Sequence, residues 1–201
     1  MTAERRAQEL EASERRLLME VDHRTMNALA LIQSIVALSR AENVQGLSRS
    51  INQRIGSLAC THNLLAERKW RSVKLSELVE TQLRGKLEAD RIVAEGEALQ
   101  LLPKVVQPLG LVLHELLSNA QVHGALMEDK GLVRLSWSID HGMLILCWRE
   151  TGCVPLQPLV KEGFGLQIVR TVVQQQLGGH LVIDRYDRGL QATIAIPDAI
   201  V

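Results

Sequence analysis

The chain has 201 residues, and its 23 Lys plus Arg balance 23 Asp plus Glu, so the formal net charge is zero. That length suits one large domain or two small ones. The balance excludes the basic excess that nucleic acid or an anionic membrane surface demands.

One Phe, one Tyr and three Trp leave the core to aliphatic side chains. No apolar run reaches membrane-spanning length, and MTAERRAQELEASERR at the start is charged rather than signal-like. Cys60, Cys147 and Cys153 are scattered without a CxxC pair. This fits a reducing cytoplasm and argues against a disulfide framework or a structural zinc site.

Residues 1–41 hold no Gly or Pro, and Leu10, Leu17, Val21, Leu29, Ile32 and Ile35 keep helical spacing. Asn43 to Gly46 supplies a break. A second helix is expected over about 47–68, with Leu47, Ile51, Ile55, Leu58 and Leu65 on one side. His62 falls on that stripe and reads as a core histidine. Two long helices and a short turn predict an antiparallel hairpin. A hairpin with two flanks to bury and one partner favours a homodimeric four-helix bundle.

After Trp70 the rhythm changes. A helix is expected at 75–83, short strands at 91–94 and 99–101 around a Gly96 turn, and a strong helix at about 104–123. Strands 132–139 and 143–148 form a hairpin across Asp140–His141–Gly142. Pro155 and Pro158 mark a loop. Gly163–Phe164–Gly165 opens a helix to about Leu177, and strands 180–186 and 190–196 close the chain across Arg188–Gly189. Helices mixed with hairpin-linked strands give an α+β two-layer sandwich, with Trp137 in its core. The domains expected are 1–70, the helical hairpin, and 71–201, the sandwich.

Four patches carry chemistry. His23 stands mid-helix among polar neighbours, where a neutral imidazole is a good nucleophile near neutral pH. Asp22 is placed to orient or deprotonate it, Arg24 to neutralise phosphoryl charge, and Asn27 shares its face one turn on. Glu115 and Asn119, four residues apart on one helix, can hold a hydrated Mg²⁺ and through it phosphates. Glu150 ends a strand just before Gly152, where a carboxylate can accept an adenine amine. Gly163 and Gly165 bracket a turn whose amides can cradle phosphate. Each patch alone has a bland alternative, in surface polarity or an ordinary loop.

Their order and intervals resemble the HWE/HRxxN family of bacterial sensor histidine kinases, from about Leu17 to Pro197. His23, Arg24 and Asn27 match His-Arg-x-x-Asn, and Cys60–Leu65 and Trp70 match the end of the family's second helix and the tryptophan after it. The stretch Leu113–Leu126 is similar to the N box, with His114, Glu115 and Asn119. Trp148-Arg149-Glu150 matches W-x-E, and Gly163-Phe164-Gly165 the GFG turn.

The resemblance implies a Bergerat-type ATP-binding sandwich behind a phosphotransfer hairpin. ATP and Mg²⁺ are the implied cofactors and a response-regulator receiver domain the implied partner. Glu115 would handle a Mg²⁺-bound water, Asn119 ligate Mg²⁺, and Glu150 take the adenine-reading position. Residues Gly152 to Gly163 would form a short lid.

The chain departs from the pattern in three places. Val122 stands where a phosphate-pairing Lys is usual, with His123 and Lys130 as the nearby substitutes. Gly152-Cys153-Val154 replaces Gly-Gly-Pro, and Met26 replaces a frequent Lys. Two further readings stay open: a histidine phosphotransferase whose nucleotide domain no longer binds ATP, and a regulator-sequestering module of the same ATPase superfamily.

Overall fold

Two long helices open the chain, as its Gly- and Pro-poor start dictates: α1 (Ala3–Leu38) and α2 (Val44–Glu67). The computed structural model describes residues 3–41, 43–85, 88–152, 163–186 and 189–201. Within α1 it describes the side chains of residues 15, 19, 21, 22 and from 25 onward. Asn43 caps α2 by accepting the Gly46 N–H at 2.7 Å. Gly46 therefore lies in the first turn of the helix, not in the break expected from the sequence.

Leu31 and Ile35 of α1 and Leu58, Leu64 and Leu65 of α2 are buried in one cluster with the rest of the core. Leu29 and Ile55, on the same expected stripe, are exposed. The tertiary reason is the direction in which the helices pack. Helix α2 lies on α4 (Pro103–His123), where Gly110 admits Thr61 so closely that a Cβ on the glycine would stand 2.3 Å from the threonine methyl.

Strand β1 (Val73–Lys74) pairs antiparallel with β3 (Gln100–Leu101), and α3 (Leu75–Leu83) follows β1 directly. The main sheet has five strands in the order β2-β4-β5-β7-β6. They are β2 (Ile92–Gly96), β4 (Leu132–Asp140), β5 (Met143–Thr151), β6 (His180–Tyr186) and β7 (Gly189–Ile196). Only the β2–β4 pair is parallel.

Strands 92–96 and 100–101 therefore do not face each other across a Gly96 turn. Gly96 is a strand residue opposite Trp137, and a Cβ on it would meet the indole at 2.5 Å. The glycine is required by the indole's approach rather than by a turn. The β4–β5 hairpin turns at His141 and Gly142, both at positive φ (48° and 79°), the twist that suits a tight hairpin.

Alternation in β5 buries Leu144, Leu146, Trp148 and Glu150 on one face. Val79 and Leu83 of α3 and Leu113 and Leu117 of α4 meet Ile92, Leu135 and Trp148 there. Each buried aliphatic side chain contributes roughly 1.5–3 kcal/mol before entropy is counted. Helix α5 (Phe164–Thr171) passes into a π-type turn at Val172–Gln176, which the sequence pattern read as plain helix. Among the described residues no helix is long and apolar enough to cross a membrane.

Candidate active site

Helix α4 is the spine of the site. Pro103 starts it, and its apolar faces are buried along most of its length. Glu115 is 2 % exposed, and its partner is a residue that no sequence pattern singled out. Arg54 of α2 donates from Nε to Glu115 Oε1 at 2.7 Å and from Nη2 to Oε2 at 2.8 Å. Its Nη1 donates to Ser39 Oγ at 3.1 Å, and also to Ser50 Oγ. Burial pushes the Glu115 carboxyl up from its ordinary value, and the Arg54 hydrogen bonds and charge oppose that rise.

Asn119 lies one turn further along the same helix. Its Nδ2 is buried without a hydrogen-bond partner, a state that costs about 1–3 kcal/mol unless an acceptor is supplied. Gly165, in the first turn of α5, closes on it. A Cβ at this glycine would stand 2.7 Å from Asn119 Oδ1 and 3.1 Å from Glu115 Oε2. An orphan amide donor beside an amide oxygen and a carboxylate, under a glycine at a helix start, fits a magnesium-bound phosphate. Gly163 is exposed at the cap of α5. Gly152 turns out of β5 at φ +84° against Lys130 and Gly131. Of the expected lid, Gly152 to Gly163, residues 153–162 lie outside the described residues, Cys153 among them.

Glu150 is 3 % exposed. Its Oε2 accepts the Ala125 N–H at 2.9 Å and its Oε1 accepts the Trp148 indole N–H at 3.0 Å. The W-x-E spacing thus has a local cause: residues two apart on a strand share a face, so indole and carboxylate meet. Gly124 leaves room for this, since a Cβ there would fall 2.0 Å from Glu150 Oε2. The carboxylate expected to read adenine already holds the end of α4 on β5. Val122 and His123 are both exposed at that end of α4.

Burial pushes the Glu150 carboxyl up, opposed by the Ala125 and Trp148 donors and by the Arg185 charge. A carboxyl whose folded pKa exceeds its unfolded one contributes stability that is full below the unfolded value and is lost as pH rises through the folded one. Relative to wild type, Glu150→Gln should therefore gain stability as pH climbs from the ordinary carboxylate range toward neutrality. Urea melts of both proteins across that range check this, and a pH-independent difference would contradict it.

On α1 the structure describes Asp22, exposed, and Asn27, half-buried. The side chains of His23 and Arg24 lie outside the described residues. Asn27 lines a cleft of about 500 Å³ with Leu31, Trp70, Lys104 and Gln107, where α1 meets α4. His62 is not a core histidine. It is exposed, edge-on to Trp70 with ring centroids 5.2 Å apart. The position is one residue away from the buried Thr61 and two from Leu64.

Among solved structures, that of the Erythrobacter litoralis EL346 blue-light activated histidine kinase superposes with a TM-score of 0.68 at 22 % identity, over 91 % of this chain and 59 % of that one. The isolated histidine kinase domain of the same protein gives a TM-score of 0.59 at 18 % identity, over 85 % of this chain and 94 % of the domain. The fold is thus one found in histidine kinases.

Residues 20–98 match the family described as HWE histidine kinase. A blue-light-activated histidine kinase of Rhizobium johnstonii is 43 % identical over 99 % of this chain and 58 % of its own length. Blue-light-activated histidine kinase 1 of Erythrobacter litoralis is 32 % identical over 98 % of this chain and 56 % of its length. The chain belongs to the HWE histidine kinase family and spans a little over half the length of these two relatives.

Proposed function

We propose that this chain is the transmitter core of a two-component kinase. It takes the γ-phosphoryl group of ATP onto His23 and passes it to an aspartate of a response-regulator receiver domain. The observation that carries the nucleotide half is the unpartnered Asn119 amide beside Glu115 and under Gly165. Bound Mg²⁺ would supply charge neutralisation on the phosphates.

Asn119 would hold Mg²⁺ through Oδ1, and its unpartnered Nδ2 would donate to a phosphate oxygen. Glu115 would orient a water beside the ion once its carboxylate is free. The amides at the start of α5, between Gly163 and Gly165, would cradle the phosphates. Glu150 keeps the Gly124–Ala125 edge in place. A carboxylate has about four acceptor positions, so an adenine amine is compatible with its two protein donors.

A ring nitrogen of His23 attacks the γ-phosphorus as the bond to the ADP oxygen breaks, and Asp22 accepts the ring proton. In the second transfer the receiver carboxylate attacks phosphorus and the imidazole leaves. Arg24 offsets phosphoryl charge, and Asn27 fixes the face of α1 turned to the cleft.

Residues 1–70 form the phosphotransfer hairpin and 71–201 a Bergerat-type ATP-binding sandwich, both cytoplasmic. The exposed Met19, Met26, Leu29 and Val36 recur at heptad spacing on α1, opposite the buried Leu31 and Ile35. This second stripe supports a homodimeric four-helix bundle. The alternative, a phosphotransferase without ATP binding, draws support from the pairing of Glu115 with Arg54 and from Val122.

A nucleotide titration decides between them. Asn119→Ala should abolish Mg²⁺-dependent ATP binding that the wild type shows. If wild-type protein binds no ATP at millimolar concentration, the phosphotransferase replaces the kinase.

A further inference from the structure

We propose that Arg54 is a positioning residue of the nucleotide site: it holds Glu115 in a closed state and must leave before a magnesium-bound nucleotide can enter. The inference rests on the nucleotide reading of Glu115 and Asn119. Three observations carry it. Arg54 covers both oxygens of Glu115 at 2.7 and 2.8 Å. The carboxylate is 2 % exposed, so the closed site has no room for an ion carrying water. The guanidinium is a cation in contact with both oxygens, so a divalent ion at the same carboxylate would meet its positive charge. Arg54 and hydrated Mg²⁺ are therefore alternative occupants of Glu115.

The guanidinium also binds the hairpin to itself. Its Nη1 donates to Ser39 Oγ at 3.1 Å, just past the end of α1, and Ser39 Oγ in turn donates to Ile35 O at 2.5 Å. One side chain thus joins the end of the helix that carries His23, the helix α2, and the carboxylate of the nucleotide site. The rest of the α2 contact is independent of this charge. Thr61 packs on Gly110, and Ser57 donates to Gln82 Oε1 at 3.0 Å.

The ion pair is the one part of the α2–α4 contact that a bound metal would oppose. Linkage makes the effect reciprocal: by whatever factor Arg54 weakens Mg²⁺–ATP, Mg²⁺–ATP weakens the grip of Arg54 on Glu115. Nucleotide entry then loosens the polar end of the α2–α4 contact and frees the hairpin. A signal that shifts α1 relative to α2 acts on the nucleotide site through Ser39 and Arg54.

The test combines nucleotide binding with amide hydrogen exchange on the full chain. Arg54→Ala should bind Mg²⁺–ATP about 10-fold or more tighter than wild type, and metal-free ATP in EDTA with no such gain. In wild-type protein, saturating Mg²⁺–ATP should raise exchange over residues 50–58, and ATP with EDTA should not. The wild-type arm stands whether or not Arg54→Ala folds.

Weaker or equal Mg²⁺–ATP binding by Arg54→Ala would overturn the proposal and make Arg54 a phosphate ligand or a bystander. Unchanged exchange in saturated wild type would also overturn it. Absence of ATP binding in wild type and variant alike is a separate outcome. It removes the nucleotide reading, and the closed state with it.

Discussion

Protein labelled by ATP, or in reverse by a phosphorylated receiver domain, is expected to carry acid-labile, base-stable phosphate, and His23→Ala none. The loss should be complete, because a covalent acceptor is either present or absent. His23 lies in the middle of α1, more than one helical turn from either end, so an alanine preserves the helix and the far-ultraviolet signal. Asn119→Ala supplies the contrast. It should lose label from ATP and keep label from the phosphorylated receiver, since the second route does not use the nucleotide site. Label persisting in His23→Ala would move the acceptor elsewhere.

The second large effect is on stability. Glu115→Ala leaves the Arg54 guanidinium buried without its counter-charge, since Arg54 itself is only 8 % exposed. Breaking a buried pair from one side costs about 3–5 kcal/mol. At roughly 2–4 °C per kcal/mol for a chain of this size, Tm falls by about 6–20 °C.

Replacing both partners by apolar residues, Arg54→Met with Glu115→Leu, should recover most of the loss. The desolvation penalty of two charges disappears together with their attraction. Calorimetry of the single and double variants checks this. A double variant as unstable as Glu115→Ala would mean that the interface depends on the ion pair itself rather than on its neutrality.

Much of this molecule was legible from local pattern. The bounds of α3 and, within a residue, of α4 and β4 follow from periodicity and from Gly and Pro punctuation, whereas β5 runs on to Thr151, past the expected end at Trp148. The motif residues Glu115, Asn119 and Gly165 were legible too, since i,i+4 spacing and a glycine at a helix start are properties of adjacent turns. The family was legible from the order of short motifs, which needs no folding to be read.

Other features belong to the tertiary structure alone. The pairing of β2 with β4 and of β1 with β3 joins segments far apart in sequence, and neither strand's composition names its partner. Gly96 looked like a turn and is a seat for Trp137. Glu150 looked like an open acceptor and is buried against Ala125 and Trp148. Above all, Arg54 meets Glu115 across 61 residues. Between Gln53 and the apolar Ile55 it reads only as one more polar position on a helix. An ion pair between helices depends on how they dock. Docking is decided by which apolar faces and small residues, here Thr61 and Gly110, can approach, and a single helix does not carry that information.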